Sequence, residues 1–443
     1  MKDNTTETLK KMESFFSKKY GLVNEKNINN FSNIIVSLEN YDINIGNIIP
    51  AYFCSVYNRK RNYRGTGVSL DAKKSKIKAF GEFIERYCGM YDDSEEHENV
   101  FYDSFLNLNR IGVKAFDLSN LISFIDEQYD SPNFPFSRYF SDKKISWIKS
   151  EDIVSNQEIL LPVQSVFLKY SNVKEKEIFN FTTSTGLACG SDTVSTKLGS
   201  LLEVIERDSF MLTWLFKIPS IAIEMDIIEN IELKIIYNHI CEYLVGEDKL
   251  HIFDISRTKG VYTILALIRN DLSHSHGLVV SAASHISPSL AILKALEELI
   301  QVYVLAYGKL VEDSTRLEKI DVNTIDKHLF YYNTGERNKN IDFLFANDRT
   351  VKLSKMKDYS TTASKENLDY IINLFREKGC PILVTDVTKA VVRKEGFHVL
   401  KTVIPEYVEL EYDYNIRRMK SKRIDKYAEK YGEVLNDEPH PFP

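Results

Sequence analysis

Short runs of apolar and β-branched residues alternate along the chain with stretches in which apolar residues recur at helical spacing. Short apolar runs rich in β-branched residues are typical of strands, whereas a period of three to four residues predicts helices. The alternation of the two patterns predicts an α/β fold. The strand-like runs lie at residues 220–225, 261–268, 277–281 and 381–385.

Three other stretches depart from this pattern. Residues 1–56 are rich in Asn and Lys and predict a helical lead-in, and residues 411–443 predict a separate tail. Residues 320–370 are polar and charged, which predicts loops and surface helix. The lead-in and the tail are therefore the separable parts of the sequence.

The helical stretches contain three copies of one pattern, centred on Glu82, Glu203 and Glu298. Eleven residues before each glutamate stands a residue suited to a helix N-cap, and apolar residues recur around it so that each helix has one buried face. The irregular spacing of the copies excludes a simple solenoid. The N-cap residues are Asp71, Asp192 and Ser287, and the apolar ones are Ile77, Phe80, Ile84, Leu198, Leu201, Ile205, Leu293, Leu296 and Ile300.

A second oxygen-bearing side chain follows each glutamate three residues later, on the same side of the helix. These partners are Glu85, Glu206 and Gln301. Small residues precede each helix and would let the backbone approach a ligand closely. They occupy residues 65–67, which include Gly67, residues 184–190, which include Ser184 and Gly186, and residues 277–284.

Acidic pairs at this spacing are usually solvated surface features, and chance alone would give about nine of them in this sequence. Three related packing helices with exposed acids are therefore the structural alternative. If the three faces converge, five carboxylates would repel one another unless cations neutralise them. Hard oxygen ligands suit Mg²⁺ shared with phosphate, which predicts ATP-Mg²⁺ as the occupant. Arg86 and Arg207 could bind phosphate, with surface ion pairing as their alternative role.

Composition and charge exclude some classes of binding partner and some cellular locations. The 57 Lys and Arg residues against 63 Asp and Glu give a net charge of -6 without long blocks of like charge, which argues against nucleic acid. The five cysteines are far apart and form no C-x-x-C pair, so a reducing cytoplasm is expected. We expect neither export nor membrane spanning, because no apolar run is long enough.

Two other groups of residues have simpler explanations. Asp271, His274 and His276 form a polar turn, and solvated loop side chains explain them better than a metal site or a general base does. We expect Trp147 and Trp214 to be core residues.

Residues 79–86, 201–208 and 295–301 resemble the three signature helices of YcaO proteins, and the resemblance extends over roughly residues 57–410. It implies a YcaO-type catalytic domain with three related helix-bearing repeats around an ATP-Mg²⁺ site. Thr66 departs from the family, because many relatives carry a lysine there. The implied Mg²⁺ ligands or supports are Glu82, Glu85, Glu203, Glu206 and Glu298, and Gln301 and Arg207 are implied near the nucleotide.

The chain ends in Pro439-His440-Pro441-Phe442-Pro443, a P-x-P-x-P terminus similar to that of azoline-forming members. The resemblance implies ATP-dependent cyclodehydration of Cys, Ser or Thr in a ribosomally made precursor peptide, as for thiazole/oxazole-modified microcins. Thiazoline or oxazoline would form after phosphorylation of the backbone amide oxygen. We expect the stiff tail to bring His440 or the Pro443 carboxylate near the reacting amide, with packing as its alternative role.

The resemblance also implies partners. No peptide-binding module precedes the three helices, so we expect an E1-like leader-peptide-binding protein, with a flavin dehydrogenase in the same complex and a homodimer of this chain. Two other functions stay open. One is ATP-dependent backbone thioamidation or amidine formation, and the other is a non-catalytic scaffold in a peptide-modifying complex.

Overall fold

The computed structural model describes residues 4–15, 34–39, 52–58, 63–91, 100–168, 170, 177–244, 246–272, 277–309 and 317–443. The strands are β1 (Ile34–Glu39), β2 (Tyr52–Asn58), β3 (Tyr63–Ser69), β4 (Val100–Ser104), β5 (Lys144–Asp152), β6 (Gln157–Pro162), β7 (Leu187–Gly190), β8 (Ile221–Glu224), β9 (Lys249–Asp254), β10 (Tyr262–Arg269), β11 (Leu278–His285), β12 (Thr350–Lys352), β13 (Leu383–Asp386) and β14 (His398–Val403).

The helices connect and cover these strands. They are α1 (Asn4–Phe15), α2 (Ala72–Gly89), α3 (Phe105–Arg110), α4 (Asp126–Tyr129), α5 (Thr193–Leu215), α6 (Ile231–Tyr243), α7 (Pro288–Lys309), α8 (Ile325–Tyr331), α9 (Ser364–Glu377), α10 (Ala390–Lys394) and α11 (Lys422–Tyr431). No helix in the described ranges is both long and apolar enough to cross a membrane.

The strands form three sheets. One has the order β1-β2-β3, a second β11-β10-β9-β8-β12, and the third β4-β5-β13-β14-β7 with β6 beside β5. The mixture of helix and sheet confirms the predicted class. Antiparallel pairing dominates the described strands, and β8 with β12 is the parallel pair among them.

The three helices that carry the glutamates begin where the sequence predicts. The side chain of Asp71 accepts hydrogen bonds from two backbone N–H groups of the first turn of α2, and the side chain of Asp192 accepts one from the backbone N–H of Ser195 in the first turn of α5. Helix α7 begins at Pro288, a residue favoured at the first helical position. Ile77 is half-buried, and the other eight predicted apolar residues are buried.

These three helices contact the strands in a cyclic order. Helix α2 packs on β3 and β7, α5 packs on β7 and β11, and α7 packs on β11 and β3. Each helix thus contacts the strand that leads into it and the strand that leads into the next helix. The order closes because α7 returns to β3.

The predicted helical lead-in is wrong in part. Helix α1 is present, but residues 34–39 and 52–58 are strands. Strand β2 pairs along its whole length with β3, from Tyr52↔Ser69 to Asn58↔Tyr63. A boundary after residue 56 would therefore cut through a paired strand.

Residues 411–443 contain α11 and then fold back on the core, so they are not a separate tail. Asn436 and residues 439–442 are buried. Residues 320–370 differ from the prediction of surface structure as well, because His328, Tyr331 and Tyr332 are buried there. These residues form the surface on which the last residues pack.

Other expectations have mixed outcomes. Trp147 and Trp214 are buried core residues, as predicted. Cys189, Cys241 and Cys380 are free thiols. Asp271 is paired with Arg269 at 2.7 Å, whereas His274 and His276 lie outside the described residues.

Candidate functional site

Glu82 is held by the strand that precedes its own helix. The backbone N–H and the hydroxyl of Thr66 donate to Glu82 Oε2 at 2.8 and 3.0 Å. Gln301 Nε2 donates to the Thr66 hydroxyl. Arg86 Nη2 lies 3.4 Å from Glu82 Oε1. Thr66 therefore connects the predicted side chains of α2 and α7.

The glycines beside Thr66 have a packing role. A Cβ on Gly65 would lie 2.1 Å from the carbonyl oxygen of Ala79, and one on Gly67 would lie 2.3 Å from that of Ser75. Helix α2 thus needs glycine at both positions to approach β3. A ligand is not required to explain Gly67, and its contact with nucleotide stays a prediction.

The second side chain of each pair reaches the strand that leads into the next helix. Glu85 Oε2 accepts the backbone N–H of Cys189 at 3.2 Å, and Glu206 Oε2 accepts that of Ser284 at 3.2 Å. The contact from Gln301 to Thr66 completes the cycle. The three predicted pairs therefore form one continuous ring of side chains and strand ends.

Glu203 lies beside the small-residue loop before its helix. Burial raises the pKa of Glu203, whereas the nearby backbone amide of Gly186 lowers it by favouring the charged form. The φ angle of Gly186 is +79°, and a Cβ there would lie 2.3 Å from the Thr402 carbonyl oxygen. Glycine is therefore required at this position both by the backbone conformation and by the neighbouring strand. Ser184, two residues earlier, is half-buried in the same loop.

The carboxylates influence one another electrostatically. Burial raises the pKa of Glu85 well above its usual range, and the charge of Glu203 raises it further. Burial also raises the pKa of Glu206, with Glu298 and Glu203 contributing, while Arg207 lowers it. Glu298 is an exposed residue, yet burial of its carboxyl group raises its pKa, and the charge of Glu203 raises it further. Glutamates from all three helices thus share one site, in which added positive charge would be favourable.

Arg207 lies at the centre of this charge. Its guanidinium contacts Glu206 through Nη1 and lies 3.6 Å from Glu203 Oε1 through Nη2. The ring of Phe442 covers the same guanidinium, with 4.4 Å between Cζ and the ring centroid. The end of the chain therefore touches the predicted nucleotide site through Phe442.

His440 is used differently from the prediction. Its ring stacks on His328 at 3.9 Å between centroids, and its Nε2 lies 2.7 Å from the Glu411 carbonyl oxygen. Burial lowers the pKa of His440 well below its usual range. These contacts explain His440 as a packing residue. The backbone on either side is also held, because Tyr332 donates to the Pro439 carbonyl oxygen at 2.7 Å and Pro441 lies beside Trp214. Pro443 is half-buried, and catalytic roles for all these residues stay predictions.

The donor set suits a cation that binds together with phosphate. Among the described residues, no three His, Cys, Asp or Glu side chains are arranged to hold a metal ion by themselves. Mg²⁺ is usually bound by one or two carboxylates plus phosphate oxygens, so a preformed protein cage is not needed. The raised pKa values of these carboxyls supply the chemical reason for a cation to bind there.

The sequence reasoning missed Lys294. It stands four residues before Glu298, on the same side of α7, and Lys78 stands four residues before Glu82. Lys78 is paired with Glu297 at 2.7 Å, whereas Lys294 is exposed and makes no ion pair with any described residue. Glu298 and Glu206 attract its ammonium group. The shared offset from the central glutamate was the signal that could have found it.

Comparisons with known proteins identify the family of the chain. Residues 65–408 match the family described as YcaO cyclodehydratase, ATP- and Mg²⁺-binding. An uncharacterised protein of Methanothermobacter thermautotrophicus is 25% identical over 268 residues, and the match covers 59% of this chain and 65% of that protein.

Solved structures share the fold. A heterocyclase in complex with substrate and cofactor has a TM-score of 0.78 at 16% identity, covering 99% of this chain and 57% of its own. YcaO from Methanopyrus kandleri, bound with AMPPCP and Mg²⁺, has a TM-score of 0.64 at 18% identity and 91% coverage of both chains. The E. coli microcin synthetase McbBCD complex gives 0.62 at 16% identity, covering 93% of this chain and 96% of its own. The chain thus spans little more than half of the first heterocyclase.

The expected cofactors, ATP and Mg²⁺, are those of the matched family. That match includes α2, α5 and α7 together with the loops and strands that hold their glutamates. It extends over most of the sequence. The chain belongs to the YcaO family.

Proposed function

We propose that this chain uses ATP and Mg²⁺ to activate backbone amides of a ribosomally made precursor peptide, closing Cys, Ser or Thr side chains into thiazoline or oxazoline rings. The observation that carries the proposal is the ring of side chains from α2, α5 and α7. It combines carboxyl groups of raised pKa with nearby basic side chains, as a site for a metal cation and a nucleotide requires. The family and the heterocyclase folds support the reaction class.

In this proposal the glutamates hold the cation and the basic side chains hold phosphate. Glu203 and Glu206 belong to one helix and share Arg207, so they are the first candidates for Mg²⁺. Arg86, Arg207 and Lys294 are the candidates for phosphate oxygens, and Lys294 would supply the positive charge that Thr66 lacks. Glu82, Glu85 and Gln301 keep the loops in place through Thr66 and Cys189.

When bound, ATP supplies the phosphoryl group that turns the former amide oxygen into a leaving group. The side-chain thiol or hydroxyl attacks the preceding carbonyl carbon and loses its proton. The carbon–oxygen bond then breaks, phosphate departs and the amide nitrogen loses its proton, which leaves the C=N bond of the azoline. The protein accelerates these steps by positioning the reactants and by neutralising charge.

The end of the chain has a place in this proposal through Phe442, which covers Arg207. We propose that Pro443 lies near the reacting amide, because it directly follows Phe442 in the chain. Pro439 and Pro441 hold the backbone on the core, and His440 packs between His328 and Phe210. His440 is already committed to other contacts, so Pro443 is the candidate among residues 439–443 for a role in the reaction.

We propose that the chain works with an E1-like protein that grips the leader of the precursor, with a flavin dehydrogenase that oxidises azolines, and as a homodimer. Support for partner proteins and a peptide substrate comes from two solved structures with this fold, the E. coli microcin synthetase McbBCD complex and the same complex with pro-MccB17 bound. Products of the thiazole/oxazole-modified microcin class follow from the same likeness. The family match covers residues 65–408, and we propose that the catalytic domain also includes β2, which pairs with β3, and residues 411–443, which pack on the core.

Mass spectrometry of a candidate precursor peptide, incubated with this chain, the leader-binding partner and ATP-Mg²⁺, tests the proposal. We expect the peptide to lose one water for each modified residue, and only when ATP is present. A gain in mass from oxygen-to-sulfur exchange would indicate thioamidation. An unchanged peptide, with each component shown to be folded, would favour the scaffold function.

A further inference from the structure

Lys401 occupies an unusual place for a lysine. It lies on β14, between β7 and β13, and is fully buried. Its strand neighbours Val399 and Val403 belong to the apolar core around α2. A buried ammonium group is costly unless its donors are satisfied, so a lysine at this position needs a structural explanation.

The donors of Lys401 all go to one short segment. Its Nζ donates to the Thr182 hydroxyl at 3.0 Å, to the Thr183 carbonyl oxygen at 2.8 Å and to the Thr185 carbonyl oxygen at 2.6 Å. An ammonium group has three N–H donors, so these contacts use its full capacity. The lysine therefore holds residues 182–185 in place through all three of its N–H groups.

The clamped segment leads directly into Gly186, whose backbone amide lies near the Glu203 carboxylate and favours its charged form. The carbonyl oxygen of Gly186 accepts the N–H of Thr402 at 2.8 Å, and Thr402 is the next residue after Lys401. Three residues beyond Gly186, the N–H of Cys189 donates to Glu85 at 3.2 Å. One short stretch of backbone thus reaches glutamates of two helices.

We infer that Lys401 is a positioning residue of the nucleotide site, which holds the 182–186 loop so that the backbone of Gly186 stays beside Glu203 and the N–H of Cys189 reaches Glu85. The Nζ hydrogen bonds of Lys401 go to Thr182, Thr183 and Thr185 and to neither glutamate. The inference rests on the proposed function, because it assigns Lys401 to the binding of Mg²⁺-nucleotide by that same site.

Charge alone does not explain the residue. Glu409 and Glu203 attract Lys401, whereas Arg418 and Arg86 repel it. Because attraction and repulsion both act on the ammonium group, the three directed hydrogen bonds are the specific part of its environment. Arginine would keep the charge but could not place three donors in the same small space.

The test compares Lys401→Met with a matched control, Thr385→Val. Thr385 faces Lys401 across the β13–β14 pair and is fully buried, and its hydroxyl bonds only to Ser150 among the described residues. Two quantities are measured on the purified full chain. One is the affinity for Mg²⁺-AMPPCP by calorimetry, and the other is hydrogen exchange of the peptide that contains residues 182–190.

We expect Lys401→Met to bind Mg²⁺-AMPPCP about tenfold more weakly, comparable to the loss of one well-placed hydrogen bond. The amides of Gly186 and Cys189 should exchange faster, and Lys401→Arg should not restore the affinity. Thr385→Val should match the wild type in both measurements. A folded Lys401→Met with wild-type affinity and wild-type exchange overturns the inference.

If Lys401→Met does not fold, Thr182→Val decides the question, because it removes one acceptor and keeps the lysine. Weaker binding of about threefold and faster exchange of the 182–190 peptide would support the inference, in line with a single hydrogen bond. Unchanged values would overturn it. Failure of the wild-type chain to bind Mg²⁺-AMPPCP would contradict the proposed function instead, and the exchange measurement would still report on the loop.

Discussion

Glu206 illustrates what a sequence pattern can and cannot reveal about a single residue. Its distance from Glu203 along the helix predicted a shared face, and the structure places both beside Arg207. The sequence did not indicate that Ser284 would hold its second oxygen. That donor lies on a strand far along the chain, and such long-range contacts leave no periodic trace in the sequence.

The first prediction concerns the two glutamates of α5. We expect Glu203→Gln and Glu206→Gln to lose ATP turnover by about a hundredfold or more, as expected when a charge that binds the cation is removed. Their melting temperatures should not fall, because both substitutions remove a carboxylate whose charged form is disfavoured by burial. Turnover and thermal unfolding measured side by side check this.

Glu232→Gln is the control for those variants. Glu232 is exposed and pairs with Lys74 on the surface, so the ATP turnover of Glu232→Gln should equal that of the wild type. Full turnover in both α5 variants would contradict the assignment of Glu203 and Glu206 to the metal site.

The second prediction concerns Lys294. Because Lys294 is an exposed residue and makes no ion pair with a described residue, we expect Lys294→Met to raise the KM for ATP by about tenfold, the effect of losing a charge-assisted contact to phosphate. Lys74→Met on α2 is the matched control, and its KM for ATP should equal that of the wild type. An unchanged KM in Lys294→Met would exclude a phosphate contact for this lysine.

At the scale of elements, the helices with strong caps and apolar faces were predictable. Asp71 and Asp192 cap α2 and α5, and the predicted apolar residues are buried. Strands β1 and β2 were missed because the Asn- and Lys-rich sequence around them was interpreted as a helical lead-in. The packing of residues 436–442 was missed for another reason. Its contacts, such as the one from Trp214 Nε1 to the Glu438 carbonyl oxygen, join segments distant in sequence.

The third prediction belongs to the last segment of the chain. Deleting residues 439–443 would expose buried core, so we expect the truncated chain to lose stability as well as activity. Phe442→Leu separates the two effects, because leucine keeps apolar contact with Phe210 but removes the ring from Arg207. We expect ring formation to fall several-fold with a small change in melting temperature, within the range of a cation–π contact.

Phe343→Leu serves as the control for Phe442→Leu. Phe343 packs on Trp214 with 5.8 Å between ring centroids and makes no cation–π contact with a described residue. Equal ring formation by the two variants would show that the contact between Phe442 and Arg207 does not matter for the reaction.

At the scale of the whole molecule, the fold explains why three distant stretches of sequence share one site. The cyclic packing of α2, α5 and α7 on β3, β7 and β11 brings their faces together. Similar helices at different points of the chain could be recognised from the sequence, because each has the same offsets. Their mutual placement could be predicted only through the resemblance to a known family, because it depends on the sheets between them.

The central claim is that ATP activates a backbone amide of the peptide. The most direct measurement uses a precursor peptide whose carbonyl carries a heavy-oxygen label at the residue before a modified Cys, Ser or Thr. After reaction with this chain, its leader-binding partner and ATP-Mg²⁺, the inorganic phosphate is analysed by mass spectrometry. We predict that the label appears in phosphate in equal amount to the rings formed. Ring formation with the label in water and none in phosphate would contradict the account.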